Sequence, residues 1–299
     1  MEFRAIFIAN QAYLSVRREQ LVIRQAREVT IPMEDITSLL LESQAVTITS
    51  AALQKLAGYG VTVYLCDEKH LPAALLLPIN RHSRQLKMLK GQIAMTKPTQ
   101  KRLWQSVTMA KIRNQAKCLE LLGRPGSGDL LELSRSVRSG DPDNCEASAA
   151  AQYFPALFGE GFTRGMDCLT NAALNYGYAI LRGAVARNLV VHGLEPCLGI
   201  FHHSELNQFN LADDLMEPYR PLVDLYVASN VCDTDEDLCS ELKQQLFNLT
   251  NYVLFQNGKR YRMVSAIGRM TESFARVLSQ DAAALELPEL IPLEPYRYE

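Results

Sequence analysis

The sequence predicts an α+β protein: a small β-sandwich-like N-terminal domain followed by a larger all-helical C-terminal domain. Three observations predict it. Short β-branched runs crowd residues 1–80, and segments with helical spacing take over from about residue 84. Loops rich in Gly, Pro, Asp and Asn then separate those segments. The boundaries fall at 1–82 for the β-rich domain, 83–285 for the helical domain and 286–299 for a proline-rich tail.

The strands are RAIFI (4–8), AYLSV (12–16), QLVIR (20–24), EVTIP (28–32), AVTIT (45–49), VTVYLCD (61–67) and AALLLPI (73–79). Turn-like or charged residues divide several of them, and an antiparallel arrangement is the economical reading. One helix interrupts at SAALQKLAG (50–58), with Ser50 as N-cap and Gly58 or Gly60 past its end. Helical periodicity then runs over 84–120, 144–158, 165–191, 240–256 and 260–280. GRPGSG (123–128), SGDPDN (139–144) and HGLEP (192–196) carry turn chemistry. The tail LPELIPLEPYRYE holds three prolines and is expected to run extended over the surface.

Composition excludes several classes. A chain of 299 residues with 47% hydrophobic content has enough apolar mass for a core. The seven cysteines are scattered and form no CxxC, which excludes a disulfide framework or zinc knuckle and suits a reducing cytoplasm. The N-terminal apolar run is too short for a secretory signal and meets Arg17 and Arg18 at once. No run of about 18 apolar residues predicts a membrane span.

Charge is unevenly spread. Net charge is -2, yet residues 81–117 hold ten Lys or Arg and no Asp or Glu. Arg81, Arg84, Lys87, Lys90, Lys97, Lys101 and Arg102 are candidates for a phosphate-backbone track. Lys259, Arg260, Arg262, Arg269 and Arg276 add charge further on. Trp104 alone interleaves with the basic stretch, so duplex tracking fits better than base stacking. Charge alone fits equally a solvated helix face or a surface for an acidic protein.

The acids lie in the helical part. Glu146 stands one turn inside a helix and is followed by alanines that leave room around it. Its spacing from Asp143 also reads as a capping box, and without other information that reading is favoured. In the next helix Asp167, Asn171, Asn175, Tyr178 and Arg182 form a polar stripe. Such a stripe either bonds a neighbouring helix or supports an active site. In GIFHHSELNQFNLADDLMEPYRP (199–221), His202 and His203 precede Asp213, Asp214 and Glu217. Either Asp can share a helical face with Glu217, although Pro218 and Pro221 should bend or end that turn. Spacing leaves a metal site and an ordinary surface both open, and treats the two histidines alike.

Taken together, these segments resemble the integrase family of CRISPR spacer acquisition, usually called Cas one. The resembling segments are the Glu146 helix with its alanine run and Tyr153, then LNYGYAIL (174–181), HGLEPCLGIFH (192–202) and LADDLMEPYRP (211–221). They occur in the family's order, and the short DLMEPYRP form is similar to the compact members of type II systems. Tyr219 stands where Phe is common in the family.

The resemblance implies that Glu146, His202 and Glu217 are catalytic and hold a metal ion, with Asp214 joining them. It selects His202 because that residue directly follows GIF. Asn175 and Tyr178 are the candidates for the surrounding support. One imidazole with carboxylates is a hard donor set suited to Mg²⁺ or Mn²⁺. The implied reaction is attack by the 3′-OH of a short foreign duplex on a phosphate at a CRISPR repeat boundary. With water as nucleophile, the same site would be an endonuclease. The implied partners are double-stranded DNA (prespacer and repeat), a second copy of the chain through the N-terminal domain, and the small protein Cas two in a heterohexamer. Other type II adaptation proteins would join them in the cytoplasm, and no membrane is involved. Two readings compete: a non-catalytic DNA-binding scaffold, and a metallohydrolase of small molecules with a deep pocket.

Overall fold

β-branched, half-buried runs become strands, and β1 (Arg4–Ile8), β2 (Tyr13–Arg17), β3 (Gln20–Arg24) and β4 (Glu28–Pro32) follow the sequence pattern closely. β5 (Ile36–Leu41), β6 (Thr47–Ile48), helix α1 (Ser50–Tyr59), β7 (Thr62–Cys66) and β8 (Pro72–Leu76) complete the N-terminal unit. The computed structural model describes residues 4–78, 82–231, 237–280 and 284–296, so Arg81 of the basic candidates lies outside the described residues. The first unit extends to Ser83 and the second spans Arg84–Tyr296.

One sheet has the order β1-β5-β7-β8 and the other β4-β3-β2-β6. The antiparallel expectation holds for β2, β3 and β4 but fails for β1, β5 and β7, which run parallel. β5 (ITSLLL) lies between two parallel neighbours and is buried at five of six positions. Its sequence therefore lacks the alternation that marks a strand with one wet face. Both sheets feed one core, in which Leu14, Leu21, Leu39, Leu56 and Val63 are fully buried. Thr49, rather than Ser50, caps α1 by accepting from the Ala52 amide, and Gly60 closes it at φ +72°.

The second unit is mainly helical. The single helical stretch expected at 84–120 divides into α2 (Gln85–Ile93) and α3 (Lys97–Leu121). Thr96 caps α3 and Pro98 occupies its first turn, where a missing N–H costs nothing. α4 (Ser127–Ser136) fills a stretch the periodicity left unassigned. α5 (Cys145–Phe158), α6 (Leu169–Val191), α7 (Asn210–Met216), α8 (Arg220–Asn230) and α9 (Ser240–Asn248) follow. α3 runs through the unit, packing on α4, α5, α8 and the 3₁₀ turn Glu217–Tyr219. Gly177 lets α6 approach α8, since a Cβ there would lie 2.5 Å from Val223 Cγ1.

The C-terminal part departs from an all-helical reading. β9 (Val253–Gln256) and β10 (Lys259–Arg262) form a hairpin before α10 (Met263–Leu278). Asn257 and Gly258 both take positive φ, as a two-residue hairpin turn requires. The tail is extended but docked: Phe255 pairs with Glu289, and Leu290 is buried. Among the described residues no helix is long and apolar enough to cross a membrane.

Candidate active site

Three backbone elements and one tight loop bring four ionisable side chains together. α3 supplies Lys111, the first turn of α5 supplies Glu146, the 3₁₀ turn supplies Glu217, and the loop before α7 supplies His202. Lys111 Nζ lies 2.6 Å from Glu146 Oε1 and 2.5 Å from Glu217 Oε2, so both carboxylates point at one position. Arg220 Nε approaches Glu217 Oε1 at 3.0 Å. Burial disfavours the Glu217 carboxylate, but Arg220 and Lys111 outweigh it and hold its pKa below the ordinary value. Burial likewise opposes the Lys111 ammonium, and Glu217 and Glu146 overcome it, so its pKa lies above the ordinary value.

Each carboxylate is positioned by its backbone. Asp141 accepts from the amides of Cys145 (2.8 Å) and Glu146 (3.0 Å), and so caps α5. Asp143 instead pairs with Arg138, which removes the capping-box reading of Glu146 and leaves its side chain to Lys111. Glu217 is fixed from behind: Asn114 Nδ2 donates to the Pro218 carbonyl at 2.7 Å. Pro218 and Pro221 stand in the first turns of their short helices, so the chain bends there without losing a ladder bond.

The loop before α7 is wound around Asp214. The Ile200 and Phe201 amides donate to Asp214 Oδ2 at 2.6 and 2.9 Å, and the His202 amide donates to Oδ1 at 3.2 Å. Imidazole Nδ1 of His202 lies 2.6 Å from the same Oδ1. A carboxylate only accepts, so Nδ1 carries the proton and Nε2 remains as the free ring nitrogen. The hydrogen bond to Asp214 raises the His202 pKa, against partial burial. Gly199 permits this turn, because a Cβ would lie 2.1 Å from the His202 carbonyl oxygen. Asp214 was expected beside the other ligands; its oxygens are already committed to this loop, so it stands behind His202 as the support. His203 is exposed and lines a separate shallow cleft of about 460 Å³ with Gln92, Asn207 and Asn210.

Among the described residues no three His, Cys, Asp or Glu side chains meet closely enough to hold a metal ion. Lys111 stands between the carboxylates that would have to meet. The donor chemistry nevertheless fits a hard cation. Glu217 Oε2 is buried and receives no aligned hydrogen bond, although a positive charge sits 2.5 Å away.

The profile of the family described as "CRISPR associated protein Cas1" matches residues 6–235. The chain belongs to the Cas1 family. A relative described as "CRISPR-associated endonuclease Cas1", from Neisseria meningitidis serogroup C (strain 8013), is 44% identical over 304 residues, covering 100% of both chains. Among solved structures, a casposase bound to integration product superimposes with a TM-score of 0.76 at 19% identity, covering 95% of this chain and 92% of that one. A chain of a Cas6-RT-Cas1–Cas2 complex superimposes with a TM-score of 0.69 at 16% identity, covering 93% of this chain and 35% of that one. These structural likenesses show that the Cas1 fold is shared.

The other candidates of this Cas1 chain are less uniform. Arg84, Lys87, Lys90, Lys97, Lys101 and Arg102 are all exposed on or beside α2 and α3. The Lys101 stem packs against Gly140, at φ +81°, where any Cβ would strike Lys101 Cγ at 2.9 Å. The C-terminal arginines do not extend that track. Arg269 and Arg276 both pair with Glu286, and Arg260 pairs with Glu294.

The polar stripe on α6 divides. Tyr178 is buried and donates to Asp224, while its ring lies 4.6 Å from the Arg220 guanidinium that holds Glu217. Asn175 is exposed and accepts from Arg164, at 2.7 Å. Asn171 bonds Arg164 and the carbonyls of Thr163 and Met166. Arg182 pairs with Asp213, which takes that Asp away from the site. Asp167 precedes the helix and is exposed.

Spacing alone missed Asp141, Asn114, Arg220 and above all Lys111, which had counted with the basic track. A signal existed. Trp104, Val107, Thr108, Asn114, Gln115 and Cys118 share the helical face of Lys111, and all are buried. A lysine on a buried face demands a carboxylate partner.

Proposed function

We propose that this chain is a divalent-metal-dependent DNA integrase and endonuclease of CRISPR spacer acquisition. The observation that carries the reading is convergence: Glu146 and Glu217, from distant segments, aim at one cationic position beside an imidazole oriented by Asp214. The names of the Neisseria relative and of the casposase support the class of chemistry.

In this reading Glu146, Glu217 and Nε2 of His202 hold Mg²⁺ or Mn²⁺. When bound, the cation stabilises charge on the phosphoryl oxygen and lowers the pKa of the attacking hydroxyl. Asp214 keeps Nδ1 protonated, so the imidazole presents a lone pair rather than an N–H. Asn114 and Arg220 hold the Glu217 turn in register. The 3′-oxygen forms a new bond to phosphorus while the bond to the repeat strand's 3′-oxygen breaks. The proton lost by the first oxygen is balanced by the one the second gains. The exposed basic residues of α2 and α3 hold duplex DNA by its phosphates. The N-terminal unit pairs with a second copy, and the small protein Cas2 completes the assembly, as the name of the Cas1–Cas2 complex suggests.

The test is strand transfer of a short duplex into a repeat-bearing plasmid with Mg²⁺ or Mn²⁺ and Cas2. Glu146→Ala, His202→Ala and Glu217→Ala are expected to abolish integration, and His203→Ala to retain it. Normal integration by all four variants would put the reacting residues elsewhere, and no integration by wild type would instead support the non-catalytic scaffold.

A further inference from the structure

A lysine occupies the position on which both site carboxylates converge. Lys111 Nζ is within 2.6 Å of Glu146 and 2.5 Å of Glu217, and its side chain is only 12% exposed. Neither distance leaves room for a second cation between the same oxygens. Lys111 lies on the face of α3 that also carries the buried Val107, Thr108, Asn114 and Gln115. The alignment with Glu217 is poor as a hydrogen bond, since Glu217 Oε2 receives none with proper geometry. Lys111 thus donates an aligned hydrogen bond to Glu146 alone and serves Glu217 as a nearby charge.

Without a positive charge there, two carboxylates drawn from different segments would face each other in a largely buried place. Arg220 compensates only one of them, Glu217. Lysine suits a temporary occupant. Its ammonium is a point charge on a flexible stem, whereas the planar fork of arginine binds a carboxylate in a fixed, bidentate way.

We infer that Lys111 is the positioning residue that holds Glu146 and Glu217 together before metal arrives, and that a divalent cation enters by displacing its ammonium. The inference rests on the metal-site reading given above and deepens it. Affinity for the cation is then a difference between two cations competing for one pair of carboxylates. The displaced ammonium withdraws along its stem towards solvent, and Asn114 keeps the Glu217 turn in place meanwhile.

Two measurements on the full chain without DNA test it. In the first, Mn²⁺ binding is followed by calorimetry for wild type, Lys111→Met, Lys111→Arg and the double variant Lys111→Met/Glu146→Gln. Lys111→Met should bind Mn²⁺ at least about tenfold more tightly, because the competing charge is gone. Lys111→Arg should bind no better than wild type, and the double variant should lose the gain. A lysine that merely supported the fold would weaken binding in both single variants.

The second measurement needs no variant. Wild-type protein is acetylated with an amine-reactive ester, with and without Mn²⁺, and the peptide containing Lys111 is quantified by mass spectrometry. Mn²⁺ should accelerate its labelling. If Mn²⁺ binds wild type but labelling slows or stays constant, and Lys111→Met binds no more tightly, the displacement idea is wrong and the metal site stands. If neither wild type nor Lys111→Met binds Mn²⁺, both readings fall together.

Discussion

Asp214 Oδ1 and His202 Nδ1 are 2.6 Å apart, and the same carboxylate collects three consecutive backbone amides from Ile200, Phe201 and His202. One buried acid thus sets both the path of the loop and the tautomer of the ring. Asp214→Asn keeps the shape but adds an NH₂ group where only acceptors fit. Catalytic activity should fall about 10- to 100-fold, as for other groups that orient a ligand. Strand-transfer rates measure this. A variant with wild-type rates would show that ring orientation does not matter.

Asp141, rather than Asp143, starts the helix that carries Glu146. Asp141→Ala should cost about 1–2 kcal/mol in urea unfolding, the usual loss for a removed cap. It should also reduce activity by loosening Glu146. Asp143→Ala breaks an exposed pair with Arg138 and should leave both quantities near wild type. The reverse order would restore the capping-box reading.

The exposed lysines and arginine of α2 and α3 should act through phosphates. Replacing Lys87, Lys90, Lys97, Lys101 and Arg102 by Gln should weaken binding to every duplex alike. Each lost phosphate contact should reduce the slope of log K against log salt by about 0.9. Replacing Arg269 and Arg276 should change that slope little, since Glu286 pairs with both and Glu272 pairs with Arg276 as well. Filter binding across a salt series separates the two sets, and an unchanged slope for the first set would put the DNA elsewhere.

Asp224 gives stability a specific pH dependence. Burial pushes its carboxyl up from 3.8 to about 6, against hydrogen bonds from Tyr178 and Tyr153. Between those values the folded chain keeps a proton that the unfolded chain releases. The contribution is therefore complete below about pH 4 and is lost as pH rises through about 6. Asp224→Asn does not titrate. Relative to wild type it should gain stability between pH 4.5 and 7.5, by up to the order of 3 kcal/mol. Parallel unfolding curves for the two proteins would mean that Asp224 is ionised throughout.

β1 and the helix around Glu146 were readable because each has one wet face and one dry face. β5 was not, because burial between parallel neighbours erases the alternation. The β9–β10 hairpin carried an Asn-Gly signal, but helical spacing on both sides masked it. At the site, ordered motifs pointed to Glu146, His202 and Glu217. The groups that position them were hidden because their roles are non-local. Asn114 and Pro218 are 104 residues apart, and no periodicity relates them.

Asn114 also reaches the other way. Its amide donates to the Pro288 carbonyl at 3.0 Å, and its carbonyl accepts from the Leu290 amide at 3.0 Å. Until the ribosome has made residue 290, this buried amide lacks two of its partners, with a desolvation cost of about 1–3 kcal/mol for each unmet group. The seat beneath Glu217 is thus finished only once the segment around Leu290 has been made. A growing chain that has already made Glu146, His202 and Glu217 still lacks this support, so the turn that carries Glu217 stays unbraced until Leu290 can fold back onto Asn114.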